Sequence, residues 1–299
     1  MASTARQPSR PAILLAHFGT TVPSALDALQ NVKRVVAAAF PDVEVRIAFT
    51  SNIIRNIWRR RRAERDSWLA RGVPPEVIDA MSVLGAIGKL QDEGFRELTV
   101  QPTHIFHGEQ YEDLKSYIQG LQSIRTIKPR WMPFESIKLG RPILGTHGPR
   151  HDYRLDVAEA VAALEPDAAL ARERGASLVY AGHGNEYFST GVFAQFERAM
   201  NEAYPDVATH VGMVEGRPDR DDVMRALSRD RPERVLLKPL MVTAGDHAHN
   251  DLSGDHSESW RAQLQLAGYR VDSIMEGLGS NDAFAALYQK RIEQAIHKT

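Results

Sequence analysis

Short apolar runs alternate along the chain with longer stretches in which apolar residues recur every three or four positions. Residues 12–16 (AILLA) form a continuous apolar run that ends in His17-Phe18-Gly19-Thr20-Thr21, the pattern of a parallel strand delivering a loop. After Pro23 and Ser24, the residues Leu26, Leu29, Val32, Val36 and Phe40 share one face of a predicted helix, which Pro41-Asp42 ends. A second strand is predicted over 44–50, a mostly helical stretch over 53–94 broken at Gly72-Val73-Pro74-Pro75, a third strand over 97–103 and a fourth near 137–144.

The same order then returns. Residues 177–181 predict a strand ending in Gly182-His183-Gly184-Asn185, followed by a helix with Val192, Phe193, Phe196 and Met200 inward. FPDVEVRIAFTS, starting at 40, recurs as YPDVATHVGMVE, starting at 204; TVQPTHIFHGEQ at 99 recurs as LLKPLMVTAGDH at 236, and ESIKLG at 135 as DSIMEG at 272. The offset is 164 residues for the first pair and 137 for the other two, so the first half carries 27 additional residues, placed as a helical insertion about 55–75. Four strand segments repeated in order predict an α/β protein of two similar doubly wound, Rossmann-like half-domains, 1–150 and 151–299, with parallel sheets facing a central cleft. The linker is expected at 145–150, followed by one helix over 152–171 that crosses between the halves.

Composition narrows the chemistry. A formal net charge of −1 with 25% charged residues gives no general reason to expect nucleic acid or an anionic membrane as partner. No apolar run reaches the ~20 residues needed to span a bilayer, and the run behind Arg6 and Arg10 is too short for a signal-peptide core, which predicts a cytoplasmic protein. The absence of cysteine excludes disulfides, a thiolate nucleophile and cysteine-bound metal centres, leaving eleven histidines as soft ligands.

Three consecutive strand exits in the second half each deliver one ligand-type side chain: His183, Glu215 and His247. Side chains leaving adjacent parallel strands at their carboxyl ends converge on one crevice, and two imidazoles with a carboxylate suit a divalent first-row ion with open coordination positions. The corresponding first-half positions are Phe18, Ser51 and Gln110, so the metal site is expected in the second half. His247, His249 and Asp251 also spell H-x-H-x-D, which keeps a binuclear metallohydrolase open as an alternative. Asp246, Asp251 and Asp255 have a structural reading as caps of a helix over 260–267, with His256 on its surface. Arg55, Arg59 to Arg62 and Arg65 form a basic run; Arg60 to Arg62 are expected on a solvated face, and Arg55 beside the Ser51 exit where an anionic ligand would meet it. His104 and His107 lie on the loop after the third strand, where each could contact a ligand; for His104 the alternative is a buried, hydrogen-bonded ring.

Ile13-Leu-Leu-Ala-His-Phe-Gly-Thr-Thr21, Ala48-Phe-Thr-Ser51, Gln101-Pro-Thr-His104 with Gly108-Glu-Gln-Tyr111, Gly182-His-Gly184, Val214-Glu-Gly216 and Pro239-Leu-Met-Val-Thr-Ala-Gly-Asp-His-Ala248 together resemble the anaerobic sirohydrochlorin cobaltochelatases, class II chelatases of the ferrochelatase-like superfamily. The resemblance runs from about residue 12 to 297. It implies ATP-independent insertion of Co²⁺ into sirohydrochlorin in anaerobic cobalamin biosynthesis, with Co²⁺ as bound substrate metal and no organic cofactor. It further implies metal held by His183, Glu215 and His247, with His183 also the catalytic proton acceptor. Phe18, Thr20, His104, Met241 and Arg55 are the expected pigment contacts. His17 and Phe106-His107 depart from the residues usual in the family at those places. Iron insertion and non-catalytic tetrapyrrole or metal carriage remain alternatives, and a homo-oligomer is left open.

Overall fold

The computed structural model describes residues 9–149, 151–246 and 248–297; His247 and Arg150 of the expected linker lie outside them. Strands β1 (Arg10–His17), β2 (Glu44–Phe49), β3 (Phe95–Pro102) and β4 (Ser136–Leu139) form a parallel sheet in the order β2-β1-β3-β4. Strands β5 (Ala176–Gly184), β6 (Thr209–Glu215), β7 (Arg234–Pro239) and β8 (Arg270–Ser273) form a second parallel sheet in the order β6-β5-β7-β8. The two orders are the same, as the sequence repeat requires. β1 from Ala12 to His17 and almost all of β5 are buried, because helices cover both faces of each sheet.

Helix α1 (Leu26–Ala39) buries Leu26, Leu29, Val32 and Val36, the face its spacing predicts. The extra first-half sequence forms α2 (Asn52–Arg61), α3 (Arg65–Ala70) and α4 (Pro75–Ile78), ahead of α5 (Val83–Asp92). Its anchor is Trp58, fully buried and edge-on to Trp68 at 5.6 Å. Arg61 corrects the solvated-face expectation: its guanidinium lies 4.6 Å from the Trp58 ring and 4.5 Å from the Trp68 ring, and donates to the Thr21 carbonyl at 2.6 Å. Arg62 donates to the Ile78 carbonyl, and Arg65 pairs with Asp79.

After α6 (Glu109–Gln122), β4 ends at Leu139, short of 144. The Gly140 amide still bonds to the Val100 carbonyl, and the amides of Ile143 and Leu144 then bond to the carbonyls of His104 and Ile105, following the exit loop of β3 instead of its ladder. The crossing segment contains two helices where one was expected, α7 (Tyr153–Ala163) and α8 (Glu165–Glu173). The break falls at Leu164, where Pro166 supplies no amide to continue the first helix. The rest of the second half comprises α9 (Gly191–Ala203), α10 (Arg220–Asp230), α11 (Trp260–Leu266) and α12 (Asp282–His297). Ser259, not an aspartate, caps α11, accepting from Ala262 N at 3.2 Å. His256 sits in the preceding turn, bonded to the Asn250 carbonyl at 2.9 Å, and not on the helix.

Helix α12 returns to the first sheet, where Tyr288 donates to the Thr103 carbonyl at 3.1 Å and Asp282 pairs with Arg34 of α1. A charge network fastens it there: Asp156 of α7, buried, accepts from Arg141 and His151 at 2.8–3.1 Å and pairs with Arg291 at 2.9 Å, while Glu159 holds Lys290 and Arg291. Among the described residues no helix is long and apolar enough to cross a membrane.

Candidate active site

The carboxyl ends of β5 and β6 bring two of the expected ligands together. Gly184 and Glu215 are register partners, and His183 Nδ1 lies 3.7 Å from Glu215 Oε2, both side chains part-exposed. Gly184 makes the approach possible. Its φ is +76°, and a methyl group there would overlap the Glu215 carbonyl and lie 2.8 Å from Met213 Cβ. His247, the third expected ligand, lies outside the described residues; its neighbour Asp246 accepts from Thr21 Oγ1 at 2.6 Å, tying the exit of β7 to that of β1. Among the described residues no group of three His, Cys, Asp or Glu side chains is placed to hold a metal. His249 and Asp251 fall in a π-helical turn, Ala248–Leu252, in which His249 is exposed.

The expected pigment contacts separate into two groups. Phe18 is 39% exposed, and its ring lies 6.2 Å from the His183 imidazole, across the cleft between the sheets. Met241 is part-buried against the core of the second half. Thr20 is buried: its hydroxyl accepts from Val22 N at 3.2 Å and its carbonyl from Trp58 Nε1 at 2.8 Å. Arg55 turns its guanidinium onto the carbonyls of Phe49 and Thr50 and the Asn52 side chain, closing off the end of β2. Desolvation, then the nearby charge of Arg59, pulls its pKa below the usual value.

His104 is part-buried with both ring nitrogens buried and unpartnered, which corrects the alternative of a hydrogen-bonded ring. Burial lowers its pKa to about 4. His17, on the neighbouring strand, bonds Thr103 Oγ1 through Nδ1 at 2.8 Å and leaves Nε2 unpartnered. Burial first, then His104 and Lys33, lower its pKa to about 3. Both rings are therefore neutral at physiological pH.

Two further features go beyond the sequence expectations. His107 Nε2 bonds Glu112, whose carboxylate also accepts from Lys115 at 2.9 Å, and its ring stacks on Phe188 of the second half at 6.4 Å and 24°. The five-residue spacing runs from a loop into the first turn of α6, so no helical periodicity announces the pair. Asn185 Oδ1 accepts from the amides of Tyr187 and Phe188 at 3.1 and 2.7 Å, fixing the loop that carries Phe188 to His107. An Asn ahead of two aromatics, directly after Gly-His-Gly, was the available signal.

Two like α/β halves meeting at their carboxyl edges, with an imidazole and a carboxylate at neighbouring strand exits, define a two-halved protein of the chelatase fold. The fold is shared with SirB from Bacillus subtilis, solved with Fe³⁺ (TM-score 0.59, 13% identity, 96% of each chain), and with CbiX, described as the terminal enzyme for biosynthesis of siroheme in denitrifying bacteria (TM-score 0.53, 18% identity, 96% of this chain and 99% of that one). Residues 11–297 match the model of the cobalt chelatase (CbiK) family, and the chain belongs to that family. It is 28% identical over 292 residues to the sirohydrochlorin cobaltochelatase of Salmonella typhimurium, covering 96% of this chain and 97% of that one. It is 26% identical over 288 residues to sirohydrochlorin cobaltochelatase CbiKC of Nitratidesulfovibrio vulgaris, covering 96% and 91%.

Proposed function

We propose that this chain is a sirohydrochlorin cobaltochelatase, inserting Co²⁺ into sirohydrochlorin without ATP or an organic cofactor, in the cytoplasm. The observation that carries the reading is the approach of His183 to Glu215 at 3.7 Å, from adjacent strand ends of a chain in the cobalt chelatase family. In this reading His183, Glu215 and His247 form a weak perch for the incoming ion. Coordination positions left open by the three ligands let the ion pass to the pyrrole nitrogens as bonds to the protein are given up. Phe18 faces this perch from the other sheet and is the pigment contact the arrangement favours, with Met241, after β7, as a second. The donor set does not by itself select cobalt over iron or nickel, since intrinsic affinity rises from iron through cobalt to nickel.

The test is spectroscopic. Metal-free sirohydrochlorin is mixed anaerobically with Co²⁺, with and without the protein, and the change in its absorption spectrum is followed. The reading expects the protein to accelerate conversion to the cobalt pigment. A carrier would bind the pigment and leave it metal-free, and a binuclear hydrolase would lose its activity on His249→Ala as completely as on His247→Ala.

A further inference from the structure

Insertion of a divalent ion into a metal-free tetrapyrrole breaks two N–H bonds. Each electron pair stays on nitrogen and becomes a bond to the metal, and two protons leave. His183 is the expected proton acceptor, but an imidazole whose lone pair holds the ion cannot take a proton with it in the same step, so protons released while the ion is on the perch need a second acceptor. Histidine is the side chain suited to accept them near neutral pH.

We propose that His107, oriented by Glu112, is a catalytic residue that accepts the pyrrole protons from the first-half wall of the cleft, opposite the metal perch. The assignment rests on the chelatase reading above. Among the other imidazoles of the first-half wall, His17 and His104 are sealed behind it with buried nitrogens. His107 keeps 24% of its side chain exposed and stacks on Phe188, five residues after His183 on the loop from the same strand. With Glu112 accepting from Nε2–H, Nδ1 carries the free lone pair, and no hydrogen bond to Nδ1 occurs among the described residues. The other groups around the ring are Tyr111, edge-on at 4.8 Å, and Lys115, which shares Glu112. Bonding to Lys115, and after it to His107, holds the Glu112 carboxyl below its usual pKa, so the group that orients the imidazole is an anion. Each proton passes from pyrrole nitrogen to Nδ1 and then to water, which frees the ring for the second.

The test compares the wild type with His107→Gln, His107→Ala and Glu112→Gln at saturating Co²⁺ and varied sirohydrochlorin, with Co²⁺ affinity measured separately on pigment-free protein. A lost general base is expected to lower kcat of His107→Gln by about 100-fold or more, with Co²⁺ affinity unchanged, and added imidazole to restore part of the activity of His107→Ala. Glu112→Gln, which keeps the hydrogen-bonding shape without the charge, should fall by roughly tenfold in kcat with little change in KM. Retained kcat in His107→Gln, a change confined to KM, or failure of imidazole to rescue His107→Ala would overturn the assignment. A wild-type protein that does not insert cobalt contradicts the chelatase reading itself, an outcome visible before any variant is made.

Discussion

His183 Nδ1 stands 3.7 Å from Glu215 Oε2, and the two side chains leave strands that are hydrogen-bonded neighbours. Neither acid nor imidazole is deeply buried, so the pair can exchange one another for a cation at little desolvation cost. Glu215→Gln, which removes the charge and keeps the shape, is expected to weaken Co²⁺ binding to the pigment-free protein by at least about tenfold, or ~1.4 kcal/mol. Calorimetric titration reads this directly; an unchanged affinity would remove Glu215 from the perch.

Gly184 lets the two strand ends close. Alanine there must adopt a φ of +76° and push against the Glu215 carbonyl and the Met213 side chain. Gly184→Ala should therefore cost about 1–3 kcal/mol or more in urea denaturation and weaken Co²⁺ binding as well. A variant of wild-type stability would mean that the β5 and β6 exits separate easily.

Stability should fall as the solution is acidified below the ordinary histidine range. His17 and His104 have folded pKa values of about 3 and about 4 against 6.5 for a free side chain, so at pH 7 both are neutral when folded and mostly neutral when unfolded. Below pH 6.5 the unfolded chain takes up protons that the folded chain refuses, and the stabilisation is lost progressively down to the folded values. Between pH 7 and pH 5 the two rings together should remove on the order of 4 kcal/mol of unfolding free energy. Urea denaturation at both pH values measures it, with His104→Gln expected to halve the slope. A slope unaltered in that variant would contradict the account.

The network that fastens α12 gives a separate prediction. The side chains of Asp156, Arg141 and Arg291 are almost wholly inaccessible, so Asp156→Ala takes the carboxylate from Arg141 and leaves Arg291 with Glu159 alone. A loss of about 3–5 kcal/mol is expected. Denaturant titration showing less than ~1 kcal/mol would indicate that Glu159 and Gln294 compensate, since both already contact these arginines.

The meeting of His183 with Glu215 was legible because a repeated strand pattern marks strand exits, and side chains at adjacent parallel exits share a crevice whatever the intervening loops do. The likeness of the two sheets was legible for the same reason. The return of α12 to the first sheet was not, because it depends on tertiary partners for Tyr288 and Arg291 that lie more than a hundred residues away. Arg61 reads as a surface charge until Trp58 and Trp68 are seen on either side of it. Ser259 displaced three aspartates as a cap because the helix begins at Trp260, beyond their reach. The pairing of His107 with Glu112 and Phe188 spans a loop, a helix start and the other half of the molecule, a combination no local periodicity encodes.

The most direct test of the central claim is the number of cobalt–sirohydrochlorin molecules formed per molecule of protein under anaerobic conditions, for the wild type and for His183→Ala. The account predicts many turnovers for the wild type and a rate at the uncatalysed background for the variant, with the pigment still bound. Equal rates for the two proteins, or a wild-type rate no faster than pigment and Co²⁺ alone, would contradict it.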